Sequence, residues 1–134
     1  LDRIVKTSCR EISRKKRDHT RRLFEEIKFF VDANLSDKEM YLPSVATNFG
    51  MNPKYLSVFF KENLGIPLAE YIRRERVGKA CQLILEGKTV KRAAEESGFS
   101  NIISFNRVFK RIQKMTPTEF RREAAMKKNY RQYH

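Results

Sequence analysis

Two sets of four residues stand out chemically in this 134-residue chain. Lys54, Ser57, Val58 and Lys61 follow the i, i+3, i+4, i+7 spacing of one helix flank. Ile103, Asn106, Arg107 and Lys110 repeat that spacing 49 residues later. Each set mixes long cations, a small polar group and an apolar side chain. Base edges in a DNA major groove ask for that mixture: Arg or Lys donates to guanine, Asn pairs with adenine, and Val or Ile touches a thymine methyl. A solvated helix face can carry such residues too, and one exposed Val or Ile is unremarkable. Two faces that correspond one to one are harder to assign to solvent.

The elements that must position these faces follow from hydrophobic spacing and punctuation. Leu23, Phe24, Ile27, Phe30 and Val31 mark a helix from about Leu23 to Leu35, ended by Ser36-Asp37. A short helix begins near Pro43, holds Val45, Ala46 and Phe49, and stops at Gly50. Asn52 caps the next helix with Pro53 in its first turn, and Gly65 ends it. A longer helix follows Pro67 and carries Leu68, Tyr71, Ile72, Val77, Ala80, Cys81 and Ile84. Gly87 terminates it, at a length of roughly 27 Å. The order then repeats. Thr89 caps a short helix through Ser97, stopped by Gly98; Ser100 or Asn101 caps a second through about Gln113; Thr116-Pro117 opens a last helix towards Met126.

The halves superpose as sequences. Ala46 and Gly50 return as Ala94 and Gly98, 48 residues on, while Phe60-Lys61 return as Phe109-Lys110, 49 residues on. An internal duplication explains this economically. A small residue four positions before a Gly, then a turn and a longer helix, is a helix-turn-helix pattern. In the second helix of each pair, Tyr55, Leu56, Phe59, Phe60 and Leu64, and Ile102, Phe105, Val108, Phe109 and Ile112, are expected to face inward. The expected fold is therefore all-α, about seven helices, with two helix-turn-helix subdomains on a linker helix. The first motif spans residues 42–65, the linker 67–86 and the second motif 89–114. The linker is long enough to hold the two outward flanks about one DNA turn apart, roughly 34 Å.

Charge supports an anionic partner but does not locate it. The net charge is +13, of which residues 1–22 hold +6, residues 121–134 hold +4 and the middle only +3. The excess sits in two arms around a body of residues 23–122: a basic linker or connecting helix at 1–22 and a basic tail at 123–134. The motifs differ as well. Residues 23–64 carry four cations and six acids, residues 88–117 seven and two. The second motif is thus expected to supply affinity through phosphates and the first discrimination. Thr89, Lys91, Arg92 and Arg111 are phosphate candidates, equally compatible with a solvated face, and helix ends at Thr89 and near Pro43 offer amides. Arg73, Arg74, Arg76 and Lys79 are expected to pair with Glu70 and Glu75.

These residues resemble the DNA-binding domain of the arabinose-regulator (AraC-type) family. The resemblance rests on Tyr55 through Lys61 ending at Gly65, and on Ser97-Gly98-Phe99-Ser100-Asn101 with Phe105, Arg107, Phe109-Lys110, Met115-Thr116-Pro117 and Phe120-Arg121. It covers roughly residues 23–122. It implies double-stranded DNA as partner, control of bacterial promoters through RNA polymerase, and base contacts on the outward positions, adding Ile102. Three departures stand out. Val58 occupies a position where a basic residue is frequent. Lys114 stands where Gly is expected, which strains that turn, and Ala93 and Ser97 are small, which would loosen the second core. The first 22 residues resemble the segment preceding this domain in large, sometimes membrane-bound, sensory members. Ile4, Val5, Cys9 and Ile12 have helical spacing for a connecting or dimerising helix, although Arg14-Lys15-Lys16-Arg17 equally suits a solvated linker. A chain opening on Leu1 reads as a fragment whose sensory domain lies upstream.

Other classes fit less well. The two histidines, His19 and His134, lie in the basic arms, and neither a ligand-spaced cluster nor a Gly-rich phosphate loop occurs, so neither enzyme activity nor a cofactor or metal is expected. Cys81, among apolar neighbours, is expected to be a buried reduced thiol. No apolar run is long enough to span a bilayer, so this segment is expected to be soluble and cytoplasmic, whether or not the full-length protein is tethered to a membrane. An RNA-binding module would expose aromatics for stacking, whereas the Phe residues lie on inward stripes. A protein–protein adaptor would bind no DNA.

Overall fold

The computed structural model describes the backbone of residues 2–133 and the side chains of residues 14–129. Seven α-helices make up these residues: α1 (Asp2–Ala33), α2 (Leu42–Asn48), α3 (Pro53–Leu64), α4 (Leu68–Leu85), α5 (Val90–Glu96), α6 (Ile102–Gln113) and α7 (Pro117–Tyr133). The fold is all-α. Two boundaries differ from expectation. The first helix begins at Asp2 rather than near Leu23, and the last runs to Tyr133 through the expected tail. Neither stretch contains a Gly or Pro, and both are rich in good helix formers, so backbone propensity carries the helix past its apolar stripe. The side chains of Ile4, Val5, Cys9 and Ile12 lie outside the described residues. Among those described, no helix is long and apolar enough to cross a membrane.

Two cores form, and α4 belongs to both. Phe24, Ile27 and Val31 of α1 pack with Val45 and Ala46 of α2, Leu56 and Phe60 of α3, and Leu68, Tyr71 and Ile72 of α4. Val77, Ala80 and Ile84 of α4 pack instead with Ala93 and Ala94 of α5 and Phe105, Val108 and Phe109 of α6. At 100° per residue these two α4 triplets point about 160° apart. The helix is therefore apolar on nearly opposite sides, each over half its length. Tyr71 adds a tie to the first core, donating from its hydroxyl to Asp32 at 2.6 Å. In the second core, Phe105 contacts Phe99 and Phe109, and Phe109 contacts Phe120, with ring centroids 5.0, 5.5 and 5.6 Å apart. Ala93 and Ser97, small as they are, are both fully buried.

The two helix-turn-helix turns match bond for bond. Met51 N–H donates to Ala46 O and Phe99 N–H to Ala94 O, at 2.8 and 3.2 Å. Gly98 has a second reason to be glycine besides its φ of +98°. A Cβ there would lie 2.0 Å from Leu35 O and 2.7 Å from Arg76 Nε. Arg76 itself departs from the expected ion pairing: its guanidinium donates to three backbone carbonyls, Leu35, Asp37 and Met40, at 3.0, 2.9 and 2.7 Å. Lys79 likewise turns away from the acids to Ser36 Oγ. Both sit on the side of α4 that meets the segment between α1 and α2. Cys81 is half-buried with its thiol free, and burial pushes its pKa up to about 11.

Lys114 caps α6 in the left-handed region at φ 66°, where Gly65 caps α3. It is the one described non-glycine residue with positive φ. An L-residue there costs about 1–2 kcal/mol, and a glycine returns some of that gain to the unfolded chain's entropy. Lys114→Gly is expected to stabilise the protein by about 0.5–1 kcal/mol, read as a higher midpoint in thermal or urea melts. An unchanged or lower midpoint would count against backbone strain at this cap.

Candidate nucleic-acid interface

The rotational phase of α3 and α6 is set at their first turns. Asn52 Oδ1 accepts from the backbone N–H of Lys54 and Tyr55 at 2.9 and 3.4 Å. Asn101 Oδ1 accepts from Ile103 and Ser104 at 2.7 and 3.3 Å, so Asn101, not Ser100, is the cap. Each cap satisfies two amides that the helix leaves unpaired. With both helices anchored by buried Phe residues on their inner sides, their outer flanks are held towards solvent.

Those flanks carry the expected residues. Lys54, Val58 and Lys61 are exposed and Ser57 is half-buried; Ile103, Asn106, Arg107 and Lys110 are all exposed. Ile103 is 75% exposed, a degree that packing within the chain does not explain. Two residues expected to face inward do not. Tyr55 is 60% and Ile102 46% exposed: Tyr55 lies about 100° round the helix from the fully buried Leu56, at the edge of the inner side, and Ile102 falls with the outward positions to which the family resemblance adds it. Tyr55 stacks over Phe59, with centroids 6.2 Å apart, and extends the first flank. Its position within three residues of Lys54 and Val58 was the available signal; reading it as part of an apolar stripe hid it.

Ion pairing sorts the cations. Glu70 of α4 is a hub for Arg73 and Arg74 of its own helix, at 3.5 and 3.3 Å, and for Arg111 of α6. Arg111 makes a two-pronged contact, Nη1 to Oε1 at 2.9 Å and Nη2 to Oε2 at 3.0 Å. In the free protein this contact holds α6 against α4 and occupies the Arg111 fork. Arg92 pairs with Glu96 one turn on, at 3.0 Å. Thr89 Oγ1 accepts from Arg92 N–H and so serves as a cap. Among the described residues no ion pair holds Lys54, Lys61, Lys91, Arg107 or Lys110. The cations of the outer flanks are thus left for another partner, while most of their neighbours are spent internally.

Residues 45–123 match a family model described as a helix-turn-helix domain, more than half of the chain. The chain belongs to the AraC-type family of DNA-binding transcription regulators. Among AraC-type relatives and related regulators, it is 36% identical over 101 residues to the transposon Tn10 TetD protein of Escherichia coli, covering 75% of this chain and 72% of that protein. It is 28% identical to the arabinose operon regulatory protein of the same species, but spans only 32% of that protein's length. The C-terminal domain of the two-component response regulator yesN from Fusobacterium nucleatum has a similar fold, with a TM-score of 0.70 and 30% identity over 72% of this chain and 95% of that one. The DNA-binding domain of AdpA, solved in complex with a target DNA, shares the fold at a TM-score of 0.72 and 17% identity, over 78% of this chain and 94% of that one.

Glu70 also gives this AraC-type domain a pH signature. The hydrogen bonds from Arg111, aided by Arg74, hold its carboxyl below the ordinary value of 4.5. A depressed carboxylate stabilises the fold above its unfolded pKa, and that contribution is lost as pH falls through the folded one. Glu70→Gln is therefore expected to flatten the acid limb of stability against pH below about 4.5, with the difference shrinking in high salt. Parallel melting curves for the two proteins from neutral pH to pH 3 would show that the pair does not couple to folding.

Proposed function

We propose that this domain reads a specific duplex through two recognition helices, α3 and α6, laid in successive major-groove segments on one side of the DNA. The observation that supports this most is the matched pair of capped, outward flanks whose cations make no ion pair among the described residues. Base contacts are assigned to Lys54, Ser57, Val58 and Lys61 on α3, and to Ile102, Ile103, Asn106, Arg107 and Lys110 on α6. Arg107 and Asn106 have the donors for guanine and adenine, and Val58, Ile102 and Ile103 suit thymine methyl groups. Lys91, exposed beside the start of α5, is assigned to the phosphate backbone. The halves carry different side chains, so the site need not be palindromic. The more basic second motif contributes more of the affinity, and the first more of the discrimination.

In the whole protein this reading places the domain in the cytoplasm at a bacterial promoter, controlling transcription initiation by contact with RNA polymerase. An upstream sensory domain would connect through α1, whose unbroken helix suits a connecting rod.

The test begins with selection of a duplex from a random library by the wild-type chain, followed by anisotropy titrations. Arg107→Ala is expected to cost about 1–3 kcal/mol and relax preference at one base position. Lys91→Ala is expected to weaken all sequences alike and reduce the salt slope by about one. If Arg107→Ala leaves both affinity and selectivity intact, α6 does not read bases through this flank. Equal binding to single-stranded RNA would favour the stacking mode of RNA modules instead.

A further inference from the structure

The two cores share no buried residue, so contacts that cross between the halves stiffen the arrangement that α4 sets. One point on the molecule joins all three parts. The segment leaving α1 presents the carbonyls of Leu35, Asp37 and Met40, and the Arg76 guanidinium of α4 accommodates all three at 2.7–3.0 Å. Lys79, one turn on, holds Ser36 of the same segment. Against the same Leu35 carbonyl and the same guanidinium lies Gly98, in the turn of the second motif, with no room for even a methyl group. Three residues after Gly98, Asn101 caps α6 and fixes its phase. A first-half backbone, the linker and the second-half turn thus meet around one side chain.

From this juxtaposition we infer that Arg76 is a positioning residue which fixes the spacing and angle between the two recognition helices, and so selects the separation of the two half-sites on DNA. Only a guanidinium suits the place. Its planar fork directs several donors at once, whereas an ammonium is a point charge on a flexible stem. The opposite faces of α4 anchor each half separately. Arg76 stiffens two separately anchored modules by bonding the first module's loop to α4 at the place where the second module's turn packs against both. Rigid linkage matters because the second motif then binds at a high effective concentration only where the spacing fits. Glu70–Arg111 is a second tie, between α6 and the end of α4 that lies in the first core. The inference rests on the reading that α3 and α6 engage one duplex.

The experiment uses the library-selected duplex, the same duplex with one base pair added to or removed from the spacer, and each half-site alone at low salt. Arg76→Met is expected to bind each half-site within about twofold of wild type. It should lose about tenfold on the intact duplex, the gain that linkage supplies, and discriminate less against the altered spacers. If Arg76→Met lacks the parent's helical circular-dichroism signal, Lys79→Ala, at a half-exposed position, carries the test with a smaller shift in the same direction. A folded variant with the wild-type spacer preference would overturn the role of Arg76. A wild-type chain indifferent to spacing, or bound as well by one half-site as by two, would overturn the two-groove reading itself and the positioning role with it.

Discussion

Both recognition helices hang from α4, and α4 is gripped from opposite sides. Leu68, Tyr71 and Ile72 are sealed in one core, and Val77, Ala80 and Ile84 in the other, pointing about 160° away. Had the apolar residues run in one stripe, both halves would have packed on the same side of the helix. The five-residue step between Ile72 and Val77 turns the second half around the axis. Everything else about the interface, from which flank faces outward to the distance between flanks, inherits from that rotation. Close packing makes the attachment stiff, because interiors leave few voids into which a half could tilt.

Charge is distributed with the same economy. An exposed ion pair adds little stability, yet the pairs here decide which cations are available. Glu70 occupies three arginines, Glu96 one, and Arg76 is absorbed by carbonyls. What remains free on the outer flanks of α3 and α6 is a small set of lysines with Arg107. A surface whose basic groups were all unpaired would bind any polyanion. One in which selected groups are tied down keeps long-range attraction in the arms and leaves the flanks for discrimination.

Much of this was legible in the residue order. Asn52 and Thr89 are caps by type and position, and the structure gives each the backbone bonds that a cap makes, while only those bonds decide for Asn101 over Ser100. Lys114 stood out as a non-glycine at a C-cap, and it adopts the left-handed backbone. Errors arose where local pattern competed with context. Tyr55 and Ile102 are apolar and border the inward stripes, yet both are exposed, while Leu56 beside Tyr55 is fully buried. The helix start near Leu23 followed the apolar stripe, while helix propensity, which needs no burial, extended the helix back to Asp2. Arg111 and Arg76 have cationic side chains whose partners lie 41 and 36–41 residues away, so no spacing rule reaches them.

The sequence by itself determined the elements, their order, the duplication and the two faces, because caps, turns and helical period act over a few residues. Only the tertiary structure decided which charges are consumed and how one half is held against the other. Those outcomes depend on contacts between distant segments, such as Arg76 with the carbonyls after α1 and Gly98 against Leu35, whose energies arise only once the chain has brought them together.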